Sequence, residues 1–504
     1  MEQHGILKIN VKENEMDNLP KMFKELNQLE ASFISKDASK KKLFVPIELY
    51  STAVKYRGKL LTKDELDIPM KKLNYLIKEN YIKILPSIIR RNNLPYCLRC
   101  ENNDDTYFAN MDCKKCFKIH LYCRSCLQMN RVIECEPLYY WYDESFIFKE
   151  QSNLSRWSGK LSKAQQEGAN QSLKALHEQT DLLIWAVTGS GKTELVFPVI
   201  TKALEKGMRV CIASPRTDVV KEFRLRIESI FNKITIAALY ANSEEKDVNA
   251  QLIITTNHQL LRFKRTFDLL IIDEVDAFPY STDDRLKRIT SRSRKKKGTT
   301  IYLTATPNPL LKKQPTVFIP KRYHGHPLII PQVKYSYQLK KSLQKNKLPK
   351  TFNQLIRHRN KPQRQLLIFV ASIRLSIKLR KEIVAILEEN NLIQNKNQVQ
   401  SVDSQDIDRS EKVNAFRKKD LYCLITTTIL ERGVTFPSVD VIVIGADNKI
   451  FTSAALVQIS GRAGRSVNDP NGNVYFLVTN NTEAIKSCLA DLKYMNQLAK
   501  EFEL

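Results

Sequence analysis

The sequence predicts an α/β protein: two parallel-sheet units, preceded by a cysteine-rich module and a small amino-terminal region. Three observations carry this expectation. Short, continuously apolar runs alternate with helical segments in two series; seven of the ten cysteines crowd between Cys97 and Cys135; and Lys plus Arg outnumber Asp plus Glu by 81 to 54, a net charge of +27. At 504 residues the chain has room for about three domains. Its 42% hydrophobic and 27% charged residues exclude a disordered polyampholyte and a membrane-embedded protein. No run approaches the roughly 18 apolar residues of a spanning helix, and MEQHGILKIN lacks the apolar stretch of a secretory signal, so a cytosolic protein is expected. The charge excess draws polyanions: nucleic acid leads, with an anionic membrane face or simple lysine-rich solubility as weaker readings.

Residues 1–90 read as a small docking region. Lys-rich patches such as Lys40 to Lys42 alternate there with apolar segments such as LFVPIELY (43–50), and an amphipathic helix is expected over 67–81. Residues 91–150 read as a zinc module, because Cys97/Cys100, Cys113/Cys116 and Cys123/Cys126 each have CxxC spacing, with His120 and Cys135 nearby. Two such pairs supply four thiolates that can close tetrahedrally around Zn²⁺. Cys97, Cys100, Cys123 and Cys126 are the favoured set, with Cys113 and Cys116 the alternative pair. The scattered Cys211, Cys423 and Cys488 sit in apolar runs and read as inert core thiols. Arg99, Arg124 and Arg131 could make the module a nucleic-acid or partner clamp; otherwise it only staples the fold. The strip LYYWYDESFIF (138–148) reads as a buried strand or hairpin before a base-stacking surface.

Residues 151–315 hold the first strand series: 182–187, 209–215, 252–256, 267–274 and 300–306. Continuous apolar runs followed by helices mean parallel strands covered on both faces. A Lys/Pro-rich stretch from about Leu310 to Pro362 reads as a linker. The second series, within 330–504, comprises 366–370, 421–428, 439–446 and 473–479. Basic runs such as Arg292 to Lys297 read as solvated loops.

The strand LLIWAV runs into Thr188, Gly189, Ser190, Gly191, Lys192 and Thr193 and then a helical segment, which is the context of a Walker A loop. Backbone N–H groups cradle the β-phosphate, Lys192 neutralises phosphate charge and Thr193 offers a hydroxyl to Mg²⁺. In FDLLIIDEVDAF, Asp273 can hold Mg²⁺ through its ligand shell, and Glu274 can orient or deprotonate the attacking water. Gln165, just before the first strand, has an amide that matches the adenine edge. In the second series, Arg462 and Arg465 lie three apart in QISGRAGR, and such planar forks suit a γ-phosphate.

Across roughly 160–480 this set resembles a superfamily 2 helicase or translocase. The resemblance implies two RecA-like domains with ATP in the cleft and single-stranded nucleic acid across both. It places Ser214, Pro215, Arg216, Thr255, Thr256 and Thr427 on the nucleic-acid path, and Thr304, Ala305 and Thr306 at the coupling between ATP and strand movement. Gln458 stands where DEAD-box RNA helicases usually have His, and the acidic motif reads DEVD; both depart from that RNA class. The zinc module ahead of the core, together with YCRSC, SPRTDVV, TTNHQLLRF and DEVDAFPY, resembles the ComFA family of competence DNA-uptake ATPases. That family implies a cytosolic translocase, peripheral at the inner face of the membrane, which uses ATP to draw single-stranded DNA through an uptake channel. It implies a phosphoribosyltransferase-like competence protein as partner, and a homo-oligomer is open. Two other readings stand beside it: a replication-restart helicase of the PriA type, in which the cysteines interrupt the core, and a non-catalytic zinc-containing DNA-binding scaffold.

Overall fold

In the computed structural model, residues 52, 55–141, 148–359 and 364–501 are described, apart from the side chain of Asp247. Most of the expected amino-terminal docking region, and the middle of the aromatic strip, lie outside them. By internal contacts the chain divides into two units, one comprising 1–158, 173–181 and 198–302, the other 159–172, 182–197 and 303–504. The secondary structure is that of two RecA-like parallel-sheet domains behind an amino-terminal region.

In unit one, the helix expected over 67–81 forms at Met70–Lys78. Its Leu73 and Leu76 pack among Tyr56, Leu61, Ile68, Ile82 and Trp141. Asn80 ends it in the left-handed region at φ 59°, where asparagine is tolerated, and the Tyr81 N–H then returns to the Leu76 carbonyl. The described end of the aromatic strip, Leu138–Tyr140, is a strand pairing antiparallel with Leu60–Leu61 and Lys83–Leu85. Asn92 and Asn93, both at positive φ, close the hairpin Ile88–Arg91 with Leu94–Cys97. A second hairpin, Phe108–Asp112 with Ile119–Cys123, follows. These segments are tied to the rest of the unit by a Tyr140 hydroxyl bond to the Lys264 carbonyl and a Thr266 hydroxyl bond to the Gly58 carbonyl.

Five parallel strands of unit one are hydrogen-bonded in the order Ile236–Leu239, Leu252–Thr256, Val210–Ser214, Phe267–Ile272 and Arg294–Thr304. The central three are almost wholly buried, as continuous apolar runs require. The run Arg292 to Lys297 corrects the sequence reading, since it joins the helix Asp284–Ser293 to the strand Arg294–Thr304. Arg292 is buried and donates to the Leu261 and Phe263 carbonyls, Arg294 pairs with Asp181, and Lys295 pairs with Asp268. Only Lys296 and Lys297 of the run are exposed.

In unit two, the strand Leu182–Ala186 is fully buried and pairs in parallel with Thr316–Ile319. A six-stranded parallel sheet runs in the order Gln332–Tyr335, Val474–Val478, Val439–Ile444, Gln365–Phe369, Cys423–Thr426 and Val399–Val402. The Lys/Pro-rich stretch is therefore not a featureless linker: it contributes the strands Thr316–Ile319, beside Leu182–Ala186, and Gln332–Tyr335, in the six-stranded sheet, and the helices Leu339–Gln344 and Lys350–Arg357. Its strands are four residues each and only partly buried, so they lack the apolar run that marks a central strand.

Candidate nucleotide, nucleic-acid and metal sites

The glycine loop leaves the strand Leu182–Ala186 through buried Val187 and Thr188. Gly189 and Gly191 take φ of +77° and +72°, conformations that side chains resist, and Gly191 caps the short helix Lys192–Leu195. Lys192 and Thr193 are half-buried at its start. Gln165 is buried against the loop. Its amide nitrogen lies 2.8 Å from the Ser190 carbonyl and 3.2 Å from that of Gly191, while its amide oxygen accepts from the Ser162 N–H at 2.9 Å. Both ends of the amide expected to read adenine are thus engaged, the nitrogen by the loop and the oxygen by Ser162.

The loop's other neighbours come from far along the chain. A Cβ added to Gly461 would stand 2.0 Å from the Thr188 hydroxyl, so only glycine permits this approach. The Tyr323 N–H donates to the Gly189 carbonyl at 3.0 Å, and the neighbouring Arg322 guanidinium donates to the carbonyls of Ala463 (2.9 Å) and Gly464. Arg322 is 3% exposed, and burial, with Arg465 nearby, pushes its pKa down to about 10. Arg462 and Arg465 differ. Arg462 is 1% exposed, with Nε donating to the Glu431 carbonyl; Arg465 is half-buried, with Nε on the Gly461 carbonyl and Nη1 3.4 Å from the Thr435 hydroxyl. Trp185 Nε1 donates to the Ala305 carbonyl at 2.9 Å, and the Thr304 hydroxyl accepts from the Thr306 N–H, so the Thr304–Ala305–Thr306 segment is fastened to the strand that carries the loop. Thr427 caps the turn Thr428–Leu430, after the strand Cys423–Thr426.

In unit one, three candidate segments share one edge of the sheet. Strand register sets Ser214 beside Thr256, and Ala213 beside Ile272, which precedes Asp273. Ligands bind at carboxyl ends of parallel strands for this reason: side chains and free backbone groups converge there. Asp273 accepts the Glu274 N–H at 2.9 Å, and Glu274 is held at φ 52°, an uncommon conformation for a non-glycine residue. Pro215 and Arg216 are half-buried, Arg216 at the start of the helix Thr217–Ile230. Thr255 is sealed, its hydroxyl bonded to the Leu239 carbonyl.

The sulfurs of Cys97, Cys100, Cys123 and Cys126 all lie within 4.8 Å of one another and are buried. Cys97 and Cys126 are 3.8 Å apart, Cys100 and Cys123 3.5 Å. A tetrahedral zinc with bonds of about 2.3 Å sets its sulfurs about 3.8 Å apart, so this donor set fits the ion. The alternative pair, Cys113 and Cys116, groups separately with Cys135. Arg99 corrects the clamp reading. It is fully buried and pairs with Glu65 at 2.6 Å, and Glu65 also takes Arg262 at 3.0 Å, at the end of the turn Asn257–Arg262 that follows Thr256. Arg124 and Arg131 are exposed.

With this geometry stand the comparisons with known proteins. The competence protein ComFA N-terminal domain matches residues 50–140, the DEAD/DEAH box helicase domain 164–313 and the helicase conserved C-terminal domain 347–467. The chain is 40% identical to competence protein ComFA of Bacillus subtilis over 470 residues, covering 91% of this chain and 99% of that protein. It is 36% identical to that of Streptococcus pneumoniae, covering 88% and 98%. The chain belongs to the ComFA family. A structure of S. cerevisiae Dbp5 bound to RNA and ADP BeF3 aligns at 17% identity and a TM-score of 0.46, over 68% of this chain and 93% of that one. As a ComFA family member carrying both helicase domains, the protein is a superfamily 2 helicase-type ATPase by domain content.

Two features of this ComFA chain escape motif reading. Arg322 lies in the Lys/Pro-rich stretch with no pattern around it, and only its burial beside Gly464 reveals it. Glu65 is one acid among many until Arg99 and Arg262 converge on it. Among the described residues no helix is long and apolar enough to cross a membrane.

Proposed function

We propose that this protein is a single-stranded-DNA-stimulated ATPase that translocates transforming DNA during natural competence, working at the inner face of the membrane. The observation that carries it is the glycine-built loop of unit two with the Gln458–Arg465 turn packed onto it through Gly461. Membership of the ComFA family supports a DNA substrate. Lys192 and the loop N–H groups would bind the phosphates, and Glu274 would orient a water for in-line attack on the γ-phosphorus. The bond to the ADP oxygen breaks, and the water's proton leaves with phosphate or Glu274. Thr193 and Asp273 would hold Mg²⁺, which neutralises charge on the β- and γ-oxygens when bound. Arg465, the less buried of the two arginines, would meet the charge developing on the transferred group, and Arg462 would position the turn through Glu431.

Ser214, Pro215, Arg216, Thr256 and Thr427 would contact the strand, with sealed Thr255 holding its strand end in place. Thr304 to Thr306, hooked to Trp185, would relay the state of the nucleotide to that grip. Zinc at Cys97, Cys100, Cys123 and Cys126 would fix the module that carries Arg99, and through Glu65 the turn that follows Thr256. The +27 charge suits a polyanion and an anionic membrane face. A phosphoribosyltransferase-like competence protein and the uptake channel would be its partners.

ATP turnover measured against single-stranded DNA, duplex DNA and RNA at several salt concentrations tests this. Stimulation should be greatest with single-stranded DNA and fall steeply with salt. Lys192→Ala and Glu274→Gln should each remove turnover by about 10²-fold or more; unchanged turnover would overturn the assignment. Processive unwinding of a forked duplex would favour a restart helicase instead.

A further inference from the structure

Seven cysteines occupy the module, and one four-sulfur site uses only four. The remaining three, Cys113, Cys116 and Cys135, have sulfurs within 4.8 Å of one another, Cys113 and Cys135 being 3.6 Å apart. Two of the turns that carry CxxC are built alike. In one, the Cys97 N–H donates to the Asn102 carbonyl at 3.0 Å and the Glu101 N–H to the Cys97 carbonyl at 2.8 Å; in the other, the Cys113 N–H donates to the Lys118 carbonyl and the Phe117 N–H to the Cys113 carbonyl, both at 2.9 Å. The residue after the second cysteine is left-handed in each, Glu101 at φ 57° and Phe117 at φ 53°. For a bulky residue that conformation costs on the order of 1 kcal/mol or more. Phe117 recovers little of it by packing, because it is 91% exposed. Turns of this form aim both sulfurs and neighbouring N–H groups at one point, the arrangement a thiolate-bound cation would stabilise.

A fourth donor lies beside one sulfur of the triad, although its nitrogen does not stand within 4.8 Å of all three and must swing toward them to complete a tetrahedral set. His120 Nε2 lies 3.0 Å from the Cys116 sulfur, and its Nδ1 faces the Glu134 carboxylate at 3.8 Å. Glu134 is itself held by the Leu121 N–H. A carboxylate behind the far nitrogen is how metal-binding imidazoles are commonly oriented. We propose that Cys113, Cys116, Cys135 and His120 form a second zinc site, distinct from the four-cysteine site, which clamps the tip of the hairpin Phe108–Asp112/Ile119–Cys123. The donor set, three thiolates and one imidazole, is a structural zinc set. It extends the zinc reading above to a second cluster and needs nothing from the ATP chemistry.

The test is a metal count on the full-length protein, purified without chelator and analysed by elemental mass spectrometry. Two zinc ions per chain are expected, falling to one in Cys113→Ser/Cys135→Ser and to one in Cys97→Ser/Cys123→Ser. One zinc per chain that only the Cys97/Cys123 variant loses would overturn the second site alone. One that only the Cys113/Cys135 variant loses would overturn the four-cysteine site and leave this one standing. A Cys113–Cys135 disulfide, found by peptide mapping without reductant, would also overturn the second site. Should the variants fold poorly, cobalt substitution of the otherwise intact chain decides. Two overlapping tetrahedral spectra are expected, of which His120→Ala shifts one; a single spectrum indifferent to His120→Ala would refute the proposal.

Discussion

The glycine loop and the cysteine module are the two candidate ligand cradles, yet they are assembled at opposite sequence ranges. Every donor of the four-sulfur cluster comes from a stretch of thirty residues, 97 to 126, and each turn is closed by its own backbone. The loop at 188–193 is instead packed by Gln165, Tyr323 and Gly461, the last two more than 130 residues away. A local cradle depends on its ion, because short segments bury too little to hold a turn alone. A remote cradle depends on packing, so substitutions far from the nucleotide should reach it.

The sharpest way to break that contrast is to deny zinc to the four-cysteine set. Zinc contributes on the order of 10 kcal/mol to small thiolate modules. Cys97→Ser/Cys123→Ser should therefore melt the turns at 97–102 and 123–130, and a strong chelator, which strips every zinc, the whole of 88–135, seen as loss of amide-exchange protection there. Binding of a fluorescent ATP analogue, which rests on unit two, should stay within a few-fold. Equal loss of both would mean that the module is not an independently held structure.

Next in size is Arg99→Ala. Removing one member of a buried pair costs about 3–5 kcal/mol, and the lower end applies because Glu65 keeps Arg262 at 3.0 Å. A drop in thermal midpoint with zinc content unchanged is expected. Arg99→Lys should recover much of it, since a single guanidinium nitrogen, Nη2, makes both contacts to Glu65, at 2.8 and 2.6 Å.

Gly461→Ala probes the remote cradle. The new methyl would meet the Thr188 side chain at 2.0 Å, and such overpacking costs about 1–3 kcal/mol. Weaker ATP binding, with zinc content and protection of 88–135 unchanged, is the expected outcome. An unaltered ATP affinity would show that the loop does not depend on this contact.

What the sequence makes legible follows the same division. Local signals were readable: the strand, glycine loop and helix around Lys192, the acidic end of Phe267–Ile272, and the CxxC pairs whose spacing brings four sulfurs together. Features set by distant partners were not. Thr316–Ile319 and Gln332–Tyr335 are strands because Leu182–Ala186 and Val474–Val478 offer them edges, not because their residues alternate. Arg292 and Arg99 look like solvent charges until the carbonyls of Leu261 and Phe263, and the carboxylate of Glu65, are seen to receive them. Charge in a sequence shows valence but not burial.

The smallest expected effect concerns the module's exposed charges. Arg124 is exposed, and Arg131, also exposed, has its guanidinium 5.9 Å from the Tyr122 ring and beside the Met111 sulfur. Each is a candidate phosphate contact, and the packing of Arg131 on Tyr122 and Met111 is a small, exposed share in the fold. For single strands, every phosphate neutralised contributes about −0.7 to the slope of log affinity against log salt. If both arginines touch the strand, Arg124→Ala/Arg131→Ala should make that slope shallower by about 1.4, with melting temperature and zinc content unchanged. A slope identical to that of the parent protein would assign the module to support alone, leaving DNA contact to the strand ends at Ser214 and Thr256 and to Thr427.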